Sequence, residues 1–137
     1  MDSNANNTAL LLGRVLASIA FVLGGWGKLM AAAATKTMLA NRGLPMPEIA
    51  YLVTVAVELG GGLLFVLGAW TRPVALVLAV WCIATALIAH TDFAVMGQLI
   101  SFTKNTGMAG GFLAFMVVGA GAFSVDAALH RGRRAIA

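Results

Sequence analysis

Residues 73–89 read PVALVLAVWCIATALIA, and no charge occurs between Arg72 and Asp92. Pro73 suits the first turn of a helix, where its missing N–H costs nothing. His90, Thr91 and Asp92 end the run. A continuous apolar run of this length is too long for a core strand. At 1.5 Å per residue it approaches the roughly 30 Å of a bilayer's hydrocarbon. The stretch is therefore predicted to be a transmembrane helix.

Charged residues punctuate the rest of the chain at similar intervals. Further spans are expected at about residues 9–32, 48–70 and 105–125, giving an all-α, antiparallel four-helix membrane bundle in a single domain. The whole of the 137-residue chain fits that reading: 61% of it is apolar and 10% charged, against about 25% charged in a soluble domain. Too few polar side chains exist to coat a soluble fold of this size. The Gly43–Pro47 run, GLPMP, cannot continue a helix and sits in a polar connection. Thr71-Arg72-Pro73 makes a tight turn, so the second and third spans are expected to be antiparallel neighbours. The opening residues lack Lys and Arg, and Lys28 interrupts the approach to Ala31–Ala34. The first span is therefore read as retained rather than as a cleaved signal peptide.

Four spans place both termini on one side. Arg14, Arg72, Arg131, Arg133 and Arg134 would then face the cytoplasm, and Lys28, Lys36, Arg42 and Lys104 the opposite side, a small excess in favour of cytoplasmic termini. The expected location is a bacterial or archaeal cytoplasmic (inner) membrane, with the lipid bilayer as surrounding partner. The net charge of +4 forms no basic stripe with interleaved aromatics, which argues against nucleic acid. The single cysteine, Cys82, allows no disulfide within the chain and reads as a small apolar filler. No Cys/His spacing suggests a metal or a covalently held cofactor. Trp26, Trp70 and Tyr51 sit near span ends as interfacial anchors, whereas Trp81 falls at mid-span. Gly107 and Gly111 form a small-xxx-small pair expected to pack within the bundle, with packing between protomers as the alternative.

Glu58 falls in the middle of its span, where an isolated carboxylate is expensive. Arg14 and Lys28 lie about 40° apart around the first helix and about 21 Å apart along it. They share their face with Ala17, Phe21, Gly24 and Gly25. Tyr51, Thr54, Glu58, Gly61, Gly62 and Phe65 form a matching stripe on the second. The two faces are expected to meet, with Arg14 or Lys28 pairing with Glu58. In the four-span topology Lys28, Glu58, His90 and Lys104 converge on a polar cavity. Arg14, Lys28, Glu58, His90 and Lys104 are thus the candidate ligand-binding residues; none has an assigned catalytic role. For Glu58, structural glue between helices competes evenly with a functional role.

The ordered set Gly13-Arg14, Gly25, Gly27-Lys28-Leu29, Glu58 with Gly60–Gly62, Gly68, Thr71-Arg72-Pro73, His90 and Lys104 resembles the DoxX family of small membrane proteins, over about Leu10 to Asp126. The resemblance implies a four-helix membrane bundle. Some members are subunits of quinone-linked oxidoreductases, and many have no established activity. It thus implies a membrane subunit of an oxidoreductase that binds quinone or a similar apolar ligand, with chemistry supplied by a partner subunit. A small-solute transporter and a scaffold without chemistry are the alternatives. A self-contained enzyme is disfavoured, because no flavin fingerprint, haem-ligand pair or Ser/His/Asp arrangement occurs. Ligand, partner and oligomeric state are not legible.

Overall fold

The computed structural model describes residues 3–136, and within them every regular element is a helix. Six helices follow one another: α1, Ser3–Met30; α2, Ala32–Asn41; α3, Pro47–Leu67; α4, Thr71–Ala89; α5, Met96–Val118; and α6, Val125–Ile136. Three of them, α1, α3 and α4, are long and apolar enough to cross a membrane. The length of α5 would suffice as well, but Gln98, Ser101, Thr103, Lys104, Asn105 and Thr106 dilute its first half.

Two parts of the chain differ from the sequence expectation. The polar connection after the first span is mostly helix. α1 breaks only at Ala31 (φ −113°, ψ 47°), and α2 resumes at once. Its Ala-rich start favours helix, and Thr35 and Leu39 are buried as α2 packs on α3. The true interruption is at residues 42–46, where Gly43 takes φ +74° and Met46 φ +58°. The last long helix also begins earlier than expected, at Met96 rather than near Asn105, and stops at Val118 rather than Val125. Gly119 (φ +87°) and Gly121 (φ +77°) end it. The basic tail then forms a separate helix, α6.

α3 packs along α1, and α4 along α5. Small residues permit the first approach: a Cβ on Gly25 would stand 2.5 Å from the Leu59 amide nitrogen, and one on Gly62 would stand 3.1 Å from Phe21. On α4, Ala75, Ala79, Cys82 and Ala86 are buried and let α5 come close. The pairs are stitched together by edge-to-face rings, Phe21–Phe112 at 5.3 Å, Phe65–Phe112 at 5.0 Å and Phe65–Phe115 at 5.1 Å. Outward-facing Leu16, Leu23, Leu52, Val80 and Val117 make an apolar perimeter that lipid, not water, accommodates.

Both ends of this bundle carry tertiary hydrogen bonds. At the end where α1 starts, the Asn7 side chain accepts from the Ala122 amide at 2.8 Å. The Arg14 guanidinium donates to the carbonyls of Val66 (3.2 Å) and Phe123. At the opposite end Arg42 donates to the carbonyl of Ala89, which closes α4.

Candidate functional site

The backbone of α3 is π-helical from Ala56 to Gly61, and Glu58 lies inside that segment. A π-turn inserts an extra residue into a helix, turns the following side chains and frequently marks a functional position. Here Glu58 faces Gly24 of α1, and the neighbouring Leu59 faces Gly25. The Lys28 ammonium donates to Glu58 Oε2 at 2.6 Å, and the Trp81 indole N–H from α4 reaches Glu58 Oε1 at 3.4 Å. The side chain of Glu58 is 12% exposed and that of Lys28 30%, so the pair is sheltered on the carboxylate side and open on the ammonium side. A Cβ on Gly24 would stand 3.3 Å from Glu58 Oε2, so glycine leaves the room that the pair occupies.

Two cavities meet at this pair. One, of about 240 Å³, gathers the polar side chains of Lys28, Glu58, His90, Lys104, Ser101 and Asn105 against apolar Phe21 and Met108. The other, of about 500 Å³, is an apolar groove walled by Met38, Leu39, Ile49, Val53 and Ile88, with Arg42 at its rim. Lys28, Glu58, Trp81, Thr85 and His90 line both. The His90 Nδ1 is 3.0 Å from Gln98 Oε1, which fixes the ring at the end of α4. The result is an amphipathic site: an apolar groove whose lining also holds an ion pair, an indole N–H and an imidazole.

Four of the five residues expected from sequence, Lys28, Glu58, His90 and Lys104, are brought together. Arg14 is not. It shares the buried stripe of α1, but its side chain turns to the opposite end of the bundle and serves Val66 and Phe123 instead of Glu58. The pairing open between Arg14 and Lys28 falls to Lys28. Gly107 and Gly111 do not pack inside the bundle either; a Cβ at either would meet nothing within 4 Å. Sequence reasoning missed Thr85 and Arg42 as lining groups. Trp81 had a usable signal: a tryptophan at mid-span needs a partner for its N–H, and a carboxylate was available on the neighbouring helix.

A model of the DoxX family matches residues 9–91. That stretch contains Lys28, Glu58, Trp81, Thr85 and His90 and stops short of Lys104. Inner membrane protein YphA of Escherichia coli (strain K12) is 35% identical over 127 residues, covering 89% of this chain and 91% of the relative. Inner membrane protein YqjF of the same organism is 34% identical over 125 residues, covering 91% and 95%. No solved structure matches the chain.

Proposed function

Because the chain belongs to the DoxX family, we propose that this membrane protein binds quinone, or a ligand of similar shape, in the groove beside Glu58. In this reading it serves as the membrane subunit of an oxidoreductase. The observation that carries the reading is the groove itself. Its volume of about 500 Å³ is within the roughly 300–1,000 Å³ of ordinary ligand sites. Its apolar walls suit a ring and an isoprenoid tail, and the polar groups that line it beside Glu58 suit carbonyl oxygens. Lys28, Trp81 and His90 are the donors placed to hold those oxygens, and Glu58 is placed to accept a proton from a hydroxyl. The association with an oxidoreductase rests on the family resemblance, and electrons would pass to or from that partner.

The location we propose is the inner membrane, as in the two E. coli relatives, with four spans and cytoplasmic termini. The bonds Asn7–Ala122 and Arg14–Phe123 support a shared end for the start of α1 and the end of α5. The test is to purify the protein in mild detergent, identify extracted small molecules by mass spectrometry, and titrate a short-chain ubiquinone against thermal stability. Co-purified quinone is expected, and a ligand at one hundred times its Kd should add about 2.7 kcal/mol. Both effects should vanish in Glu58→Gln or His90→Ala. A sample that carries only lipid and shows no quinone-dependent shift would overturn the assignment. The Lys28–Glu58 bond also favours a second reading, in which the pair only joins α1 to α3. A Lys28→Met/Glu58→Leu protein that stays folded and still binds quinone would favour it.

A further inference from the structure

α6 is the one element whose form the ligand site does not explain. At about 100° per residue, Val125, Ala128, Leu129 and Gly132 fall in an arc of about 100°. His130 and Arg131 occupy a separate arc of about 100° by the same register, and the sequence continues with Arg133 and Arg134. The first turn is fastened firmly. Ser124 Oγ accepts from the Ala127 amide at 3.1 Å, and the Asp126 amide donates to the Gly68 carbonyl at 2.9 Å. The Asp126 carboxylate accepts from the amides of Trp70 (2.7 Å) and Thr71 (2.9 Å). Among the described residues no other helix packs extensively along α6 beyond that turn. Its apolar face is open, with Val125 38% and Leu129 60% exposed, and it continues into exposed Trp70 and Phe123.

We propose that α6 lies in the membrane–water interface and holds anionic phospholipid headgroups. The bonds of Asp126 pin it where α3 has ended and α4 begins, at the boundary of the spanning helices. An amphipathic helix held at that level immerses its apolar side among the upper acyl chains. The guanidinium of Arg131 matches phosphate oxygens in planar, forked geometry, and Arg133 and Arg134 add positive charge to the same segment. The one acid of α6 is already occupied by backbone amides, and exposed Arg72 in the adjoining turn adds a further positive group. Charge therefore selects an anionic lipid over a zwitterionic one. The inference needs the chain to be embedded in a bilayer but is independent of what fills the groove at Glu58.

The test is hydrogen exchange on the full chain in two kinds of nanodisc, phosphatidylcholine alone and equal parts phosphatidylcholine and phosphatidylglycerol. Amides of α6 should exchange several-fold more slowly in the anionic discs, and high salt should remove the difference. Retention of phosphatidylglycerol in native mass spectrometry should weaken roughly fivefold for each arginine replaced in R131Q/R133Q/R134Q at low salt. The same variant should leave peptides around Glu58 unchanged, which separates this site from the groove. Equal protection in both discs would overturn the proposal, as would a lipid difference that survives the triple replacement. Protection that appears only when a soluble acidic protein is added would overturn it in favour of protein docking.

Discussion

The Glu58 carboxylate stands 2.6 Å from the Lys28 ammonium and joins α1 to α3 at the level where α3 is π-wound. Removing one partner of a fully buried pair costs about 3–5 kcal/mol, chiefly because a charge is left behind without a partner. Lys28 is partly open to solvent, which lowers the expectation for Lys28→Met to about 2 kcal/mol. Exchanging the charges, Lys28→Glu with Glu58→Lys, should recover part of that loss. A double-mutant cycle on thermal unfolding in detergent reads the coupling directly, and additive losses in the cycle would refute direct pairing.

Asp126 acts as a helix cap from a distance. α4 has no side-chain cap of its own, since Trp70 precedes it with φ 47°. The two bonds from the Trp70 and Thr71 amides put a carboxylate at the positive end of that helix. Partial burial by itself would raise the Asp126 carboxyl, but the bonds from Thr71 and Trp70 outweigh it and hold the group below its ordinary value of 3.8. A lowered folded-state value means that the stabilisation is complete above the unfolded value. It is lost as pH falls below 3.8 and through the folded value. Asp126→Asn is expected to cost about 1 kcal/mol at neutral pH. It should also flatten the acid limb of a stability–pH curve, and an unchanged limb would contradict the assignment.

Gly25 and Gly27 make a paired test of helix approach. A Cβ at position 25 would stand 2.5 Å from the backbone nitrogen of Leu59, inside the π-turn, where no flexible side chain can yield. A Cβ at position 27 meets nothing within 4 Å. Gly25→Ala should therefore cost about 1–3 kcal/mol and weaken the quinone binding proposed at Glu58 by displacing that side chain. Gly27→Ala should be neutral, or stabilising by up to about 1 kcal/mol through helix propensity. Melting temperatures of both variants, with and without ligand, check the contrast.

Much of this architecture was legible in the chain because the bilayer imposes one strong rule, a long apolar run for each crossing. That rule located α1, α3 and α4, and the cost of an intramembrane carboxylate singled out Glu58 and narrowed its partner to two cations, Arg14 and Lys28. It could not locate α2 or the true start of α5. Ala32–Asn41 and Met96–Lys104 are polar enough to read as loops, yet they are helical because tertiary packing, not hydropathy, orders them. The choice of Lys28 over Arg14 was equally hidden. Both lie on the same stripe of α1 at similar distances in depth. What separates them is the demand of distant backbone, the carbonyls of Val66 and Phe123, which no pattern within α1 announces. The cap from Asp126 joins residues 55 and 56 positions apart and escapes local reading for the same reason.

That division of labour gives Arg14 its own test. The side chain is fully buried and holds the carboxyl end of α3 to the segment that follows α5. Gly68, with φ +66°, leaves the space through which the guanidinium passes, since a Cβ there would collide with Arg14 Nη1. A planar fork can serve two carbonyls that diverge, whereas a single ammonium serves one well. Arg14→Lys should therefore cost about 2 kcal/mol, and Arg14→Met, which leaves both carbonyls without their donor, about 3–5 kcal/mol. Amides of the segment 119–124 should exchange faster in both variants, while the region of Lys28 and Glu58 at the other end keeps its protection. Swapping charges between positions 14 and 58 should rescue neither variant, because the two side chains serve opposite ends of the bundle. A rescue by that swap would show that Arg14 reaches Glu58 in the membrane after all.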